Sequence, residues 1–148
     1  MGDYKAALEY SNKLLNSDLL KTNVQLQGWT KIISLVILFE LGEYRYVSRQ
    51  LKSLKSYFKK NKQFPRYESL ALESLRALIA DETNKQPAKT LSDILKRFSA
   101  LRTGGTEATR FLEFEFDWWI ESKIKKVPFR DIVRFHRLAK AIQVKNVT

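Results

Sequence analysis

Apolar side chains recur along this chain at separations of three and four residues, with polar residues filling the rest of each turn, which is the spacing of amphipathic α-helices. The clearest case is 43–60, where Tyr44, Val47, Leu51, Leu54 and Phe58 draw one buried stripe. The same pattern predicts helices over 4–15, 24–41, 66–80, 88–101, 107–125 and 129–141, seven with 43–60. In 88–101 the inward positions are Leu91, Ile94, Leu95 and Phe98. The run from Ile32 to Leu41 is apolar on most sides, so its helix is expected deep in the core. It is far shorter than the ~20 residues that cross a bilayer, and no membrane span is expected.

Breaks in the pattern set the boundaries. Pro65 suits the first turn of 66–80 and Pro128 opens the last helix. The segment 81–87 is a polar loop, and Thr103-Gly104-Gly105-Thr106 is the strongest interruption. Phe114-Glu115-Phe116-Asp117 alternates as a strand would, but nothing else in the chain offers a partner strand, so it is read as helix. Short connections favour antiparallel neighbours, pairing 24–41 with 43–60, 66–80 with 88–101, and 107–125 with 129–141. The fold class is all-α.

Two places in the chain share a phrase. Gly2-Asp3-Tyr4 leads into Lys5-Ala6-Ala7-Leu8-Glu9-Tyr10 and on to Leu14-Leu15, and Gly42-Glu43-Tyr44 leads into a second amphipathic run 40 residues later. Around the second copy, 28–61 holds a helix, the Gly-x-Tyr turn and another helix, a unit of 34 residues. This unit resembles a tetratricopeptide repeat. Val47 stands where that family prefers a small residue, and Lys59-Lys60-Asn61 closes the unit without the family's proline. The resemblance is specific over 1–61; 62–148 keep helical pairs but not the signature.

The resemblance implies one domain over 1–148, a right-handed α-solenoid of stacked antiparallel hairpins that holds a protein or peptide partner without catalysis or cofactor. In the family the first helix of each pair lines the groove. By that correspondence Lys31, Ser34, Glu73, Ser74, Glu113, Asp117 and Glu121 are the candidate groove residues, the three acids lying at i, i+4 and i+8 beside Phe111, Phe114, Trp118 and Trp119. Ion pairing of those acids to Arg110 or to the basic last helix is the competing account. Helix 4–15 is the second half of a repeat with nothing in front of it. The expectation is a piece of a longer protein, or self-association through 4–15; alternatively that helix packs on the next one and ends the domain.

Composition narrows the class. At 148 residues and 44% hydrophobic content the chain is long enough to bury a single core. The absence of cysteine rules out disulfides and thiolate metal sites and points to a reducing, cytoplasmic setting. Met1-Gly2-Asp3-Tyr4 shows no basic, then apolar, secretory leader.

Charge is uneven. The net charge of +11 is zero over 1–42, +6 over 43–62, +1 over 63–67, −3 over 68–121 and +7 over 122–148. Arg45, Arg49, Lys52, Lys55 and Lys59 follow one side of the third predicted helix, and Arg130, Arg134 and Arg137 repeat the arrangement on the last. Such a stripe is either a solvated face or an anion-binding surface that could track nucleic acid. Single-strand binders also present exposed aromatics for base stacking. Tyr44 and Phe58 lie on the buried stripe, leaving Tyr46 and Tyr57 for that task.

No catalytic constellation stands out. The single histidine, His136, shares an arc with Phe129, Ile132 and Val133 and reads as a half-buried packing residue. Carboxylates at i, i+4 with one histidine do not make a metal site. Gly104-Gly105 lacks the lysine of a phosphate loop.

Overall fold

The computed structural model describes residues 3–60, 66–82, 89–104 and 114–147. Among them there are eight α-helices and no strand: α1 (Tyr4–Leu15), α2 (Asp18–Lys21), α3 (Val24–Glu40), α4 (Tyr44–Lys60), α5 (Arg66–Glu82), α6 (Lys89–Thr103), α7 (Phe116–Lys125) and α8 (Phe129–Val147). The chain divides into two compact units, Met1–Gln86 and Pro87–Thr148.

The first unit is built around α3. Asn23 caps it, its Oδ1 accepting the Leu26 amide at 3.0 Å. Most of its side chains are then buried, among them Trp29, Ile32, Leu35, Val36 and Phe39. That all-round burial follows from its packing against α1, α4 and α5. Helix α1, capped by Asp3 Oδ1 on the Ala6 amide, thus has a partner inside the chain. Ser11 and Ser34 meet at that contact, where small side chains let the two backbones approach. Between α1 and α3 the four-residue α2, absent from the sequence expectation, buries Leu20 completely.

The Gly42-Glu43-Tyr44 phrase has a clear physical role. Gly42 adopts φ +81°, its amide bonds Phe39 O at 2.9 Å, and the Glu43 amide bonds Leu38 O at 3.0 Å. This pair of bonds ends a helix with a left-handed residue, which glycine adopts without Cβ strain. The Glu43 carbonyl then accepts the Val47 amide in the first turn of α4, and the Tyr44 ring packs 5.0 Å from Phe39. The turn therefore closes α3 and starts α4 as an antiparallel hairpin. Val47, Leu51, Leu54 and Phe58 are buried along α4, as the stripe predicts. Helix α5 lies against both, with Tyr67 buried 5.4 Å from Trp29.

In the second unit α7 packs on α6 and on α8. Phe98 of α6 stacks on Phe116 of α7 at 5.8 Å, and Phe116 meets Trp119 edge-on at 5.2 Å. The predicted helix over 107–125 is shorter than expected. Helix α7 begins at Phe116, and Phe114 and Glu115 before it are not helical. The reason is tertiary: the Phe114 ring is drawn against both Phe116 and Phe129, and its carbonyl accepts the Phe116 amide in a tight turn. Residues 105–113 lie outside the described residues. At the other end α7 stops at Lys126, which takes the left-handed φ of 55° with the Val127 amide bonding Ser122 O, the same device as at Gly42. Helix α8 runs past the expected end at 141 to Val147, since no proline or glycine interrupts it.

Candidate functional site

The concave feature of the first unit lies among α1, α3 and α4, a cavity of about 220 Å³. Helical spacing explains its walls. Leu8, Asn12 and Leu15 come from one face of α1, Lys31, Leu35 and Leu38 from α3, and Tyr46, Gln50, Ser53 and Tyr57 from a strip of α4 beside the buried stripe. The result is an apolar pocket with a few polar groups, the usual make-up of a recognition site.

Lys31 is its charged group. The ammonium stands 3.9 Å from the Tyr57 ring centroid, a cation–π contact. Burial pulls the Lys31 amine below its ordinary pKa. The Tyr57 hydroxyl donates to Gln27 Oε1 at 2.8 Å, with Val24 O 3.2 Å away, which fixes the ring beneath the lysine. Burial also raises the Tyr57 hydroxyl above its usual pKa. Ser34 lies at the back of the cavity. Its hydroxyl donates to Thr30 O at 2.9 Å, so the proton of its short bond to Ser11 comes from Ser11.

Of the other groove candidates, Ser74 has no exposed surface and donates to Leu70 O at 2.6 Å. Glu73 is half-buried on α5 and does not line the cavity. Glu113 lies outside the described residues. Asp117 is buried and held by Arg102 through two bonds of 2.8 and 2.7 Å. Glu121 binds Lys125 at 2.5 Å and His136 Nε2 at 2.6 Å. Asp117 and Glu121 are thus consumed by internal ion pairs rather than displayed to a partner. His136 does more than pack: its ring also stacks on Trp118 at 4.5 Å and 10°.

Arg45, Arg49, Lys52, Lys55 and Lys59 are all exposed on the outer side of α4, and Arg130, Arg134 and Arg137 are exposed on α8. Arg49 sits 5.9 Å over the Tyr46 ring, which is 43% exposed. Tyr57 is half-buried, and one face of its ring is covered by Lys31. The part of the site missed in sequence is the α1 wall. Its signal, Leu8, Asn12 and Leu15 at i, i+4 and i+7, was present but has no meaning until α1 is known to lie on α3. Among the described residues no group of His, Asp and Glu could hold a metal ion, and no helix is long and apolar enough to cross a membrane. No protein-family model, curated protein or solved structure matches this chain.

Proposed function

We propose that this chain is a non-catalytic, tetratricopeptide-like scaffold that holds a segment of a protein partner in the α1–α3–α4 cavity. The observation that carries this reading is Lys31, a partly desolvated ammonium among leucines, oriented by Tyr57 and facing a preformed space. A preformed site avoids much of the ordering cost of binding. At about 220 Å³ the cavity is below the ~300 Å³ at which pockets begin to enclose whole small molecules, so it suits an anchoring side chain better than a free metabolite. The α3–α4 hairpin closed at Gly42 supports the repeat-type reading, whose stacking we infer to be right-handed.

Peptide-display selection on the purified chain tests this, with counter-selection on Ser53→Trp, a substitution at an exposed position that fills the cavity. Peptides enriched on the parent and lost on the variant are expected. Failure to enrich any sinks the reading.

The alternative, a basic scaffold for RNA or another polyanion, is favoured by the exposure of the α4 stripe beside Tyr46. Its test is a salt titration of single-stranded RNA binding, with Arg45, Arg49, Lys52 and Lys55 reversed to glutamate. Binding that falls steeply with salt and vanishes in the variant would favour this alternative over the groove.

A further inference from the structure

The last helix carries a surface that the groove does not use. Of the residues of α8 only Ile132 is buried, and Phe135, Leu138 and Ile142 are 62%, 59% and 59% exposed. Their spacing of three and then four places them on one stripe. The other side of the helix is engaged with α7, where His136 stacks on Trp118 and the Lys140 ammonium stands 5.1 Å from the same ring. Arg134 and Lys145 are exposed beside the stripe, and no acidic residue follows Asp131.

We propose that this face of α8 docks on an anionic lipid surface, Phe135, Leu138 and Ile142 entering the headgroup boundary while Arg134 and Lys145 engage the lipid charge. Two arguments select lipid over another helix. The stripe is short: the next positions on it are Asp131 at one end and Lys145 at the other, so it covers only roughly 10 Å at about 1.5 Å per residue. A helix–helix seam needs several heptads, whereas an interfacial helix needs only a few side chains at the boundary. Charge agrees. A second copy would set one cationic helix against another, while an anionic surface attracts each lysine and arginine and lets their stems extend toward the headgroups. The inference is independent of the groove, since it concerns the opposite end of the chain.

The test is co-sedimentation of the full chain, at physiological salt, with vesicles of phosphatidylcholine and of equimolar phosphatidylcholine and phosphatidylserine. Binding at least about ten-fold stronger to the mixed vesicles is expected, falling about ten-fold in the combined Phe135→Ser, Leu138→Ser and Ile142→Ser variant. Absence of binding overturns the proposal. So does binding that survives the triple variant, which would be adsorption of a basic protein. A dimer dissolved by the same substitutions would assign the face to a second copy instead, and also overturns it. Phe135→Trp alone gives a readout free of any folding defect: brominated lipids should quench the new indole, and an unquenched indole contradicts insertion.

Discussion

Arg102 on α6 grips Asp117 on α7 with two parallel hydrogen bonds, Nε to Oδ2 at 2.8 Å and Nη2 to Oδ1 at 2.7 Å, around a carboxylate only 6% exposed. Breaking such a pair leaves a buried charge without its partner. Arg102→Met should therefore cost about 3–5 kcal/mol, and combining it with Asp117→Leu should recover most of that loss. Urea unfolding followed by tryptophan fluorescence measures both, since Trp118 lies 5.0 Å from the guanidinium. A single-variant cost under about 1 kcal/mol would contradict the pairing.

Glu121 predicts how stability depends on pH. Burial alone would raise its carboxyl, but the hydrogen bonds and charges of Lys125 and His136 outweigh burial and hold it below the ordinary glutamate value. A lowered folded-state pKa stabilises the fold above the unfolded value of about 4.3, and that contribution disappears as pH falls through the folded value. The gap between the urea midpoints of the parent and Glu121→Gln should close as pH drops from about 5 to 3. A gap that does not change with pH would show that the pair contributes nothing.

Gly28 is required by space rather than by backbone angle. A Cβ there would stand 2.6 Å from Phe58 Cε1 and 2.9 Å from Cζ, and Phe58 is a buried ring of α4. Alanine gains about 1 kcal/mol of helix propensity over glycine, but overpacking a filled core costs about 1–3 kcal/mol. Gly28→Ala is expected to lower the melting temperature, and Phe58→Leu in the same chain to relieve part of the loss. A rise in melting temperature for Gly28→Ala would show that the ring yields freely.

Lys126 occupies a position that favours glycine. At φ 55° an L side chain carries strain of about 1–2 kcal/mol, partly offset for glycine by its greater freedom when unfolded. Lys126→Gly should stabilise the second unit by roughly 0.5–1 kcal/mol in guanidinium unfolding. Unchanged or reduced stability would mean that the lysine side chain supplies a compensating contact.

Much of the helical layout was legible because its causes are local. The α4 stripe is a period of 3.6 written in five side chains, and Gly42 marks a left-handed turn that few other residues adopt easily. At the start of α7 a ring from another helix contributed: Phe114 looked helical by its neighbours, but its ring packs on Phe129 as well as on nearby Phe116. The candidate site was less legible. Lys31 and Ser34 were named for the correct helix, but Tyr57 and the α1 wall that complete the cavity come from other helices, on either side in the sequence. The acidic face of Asp117 and Glu121 was visible as a pattern, yet its use was not, because Arg102 and His136 reach it from other helices.

Residue order alone thus determined the all-helical class, the buried stripes, the turn at Gly42 and the alternation of charge, since hydrogen bonds and side-chain periodicity within a helix depend on neighbours three or four positions away. Only the packing of helices decided which charges stay in water. It paired Asp117 and Glu121 internally, set Lys31 over Tyr57 in a partly dry cavity, and left the α4 stripe and the outer face of α8 exposed. The energy of a charge or an apolar surface depends on what surrounds it, and those surroundings come from segments far apart in the chain.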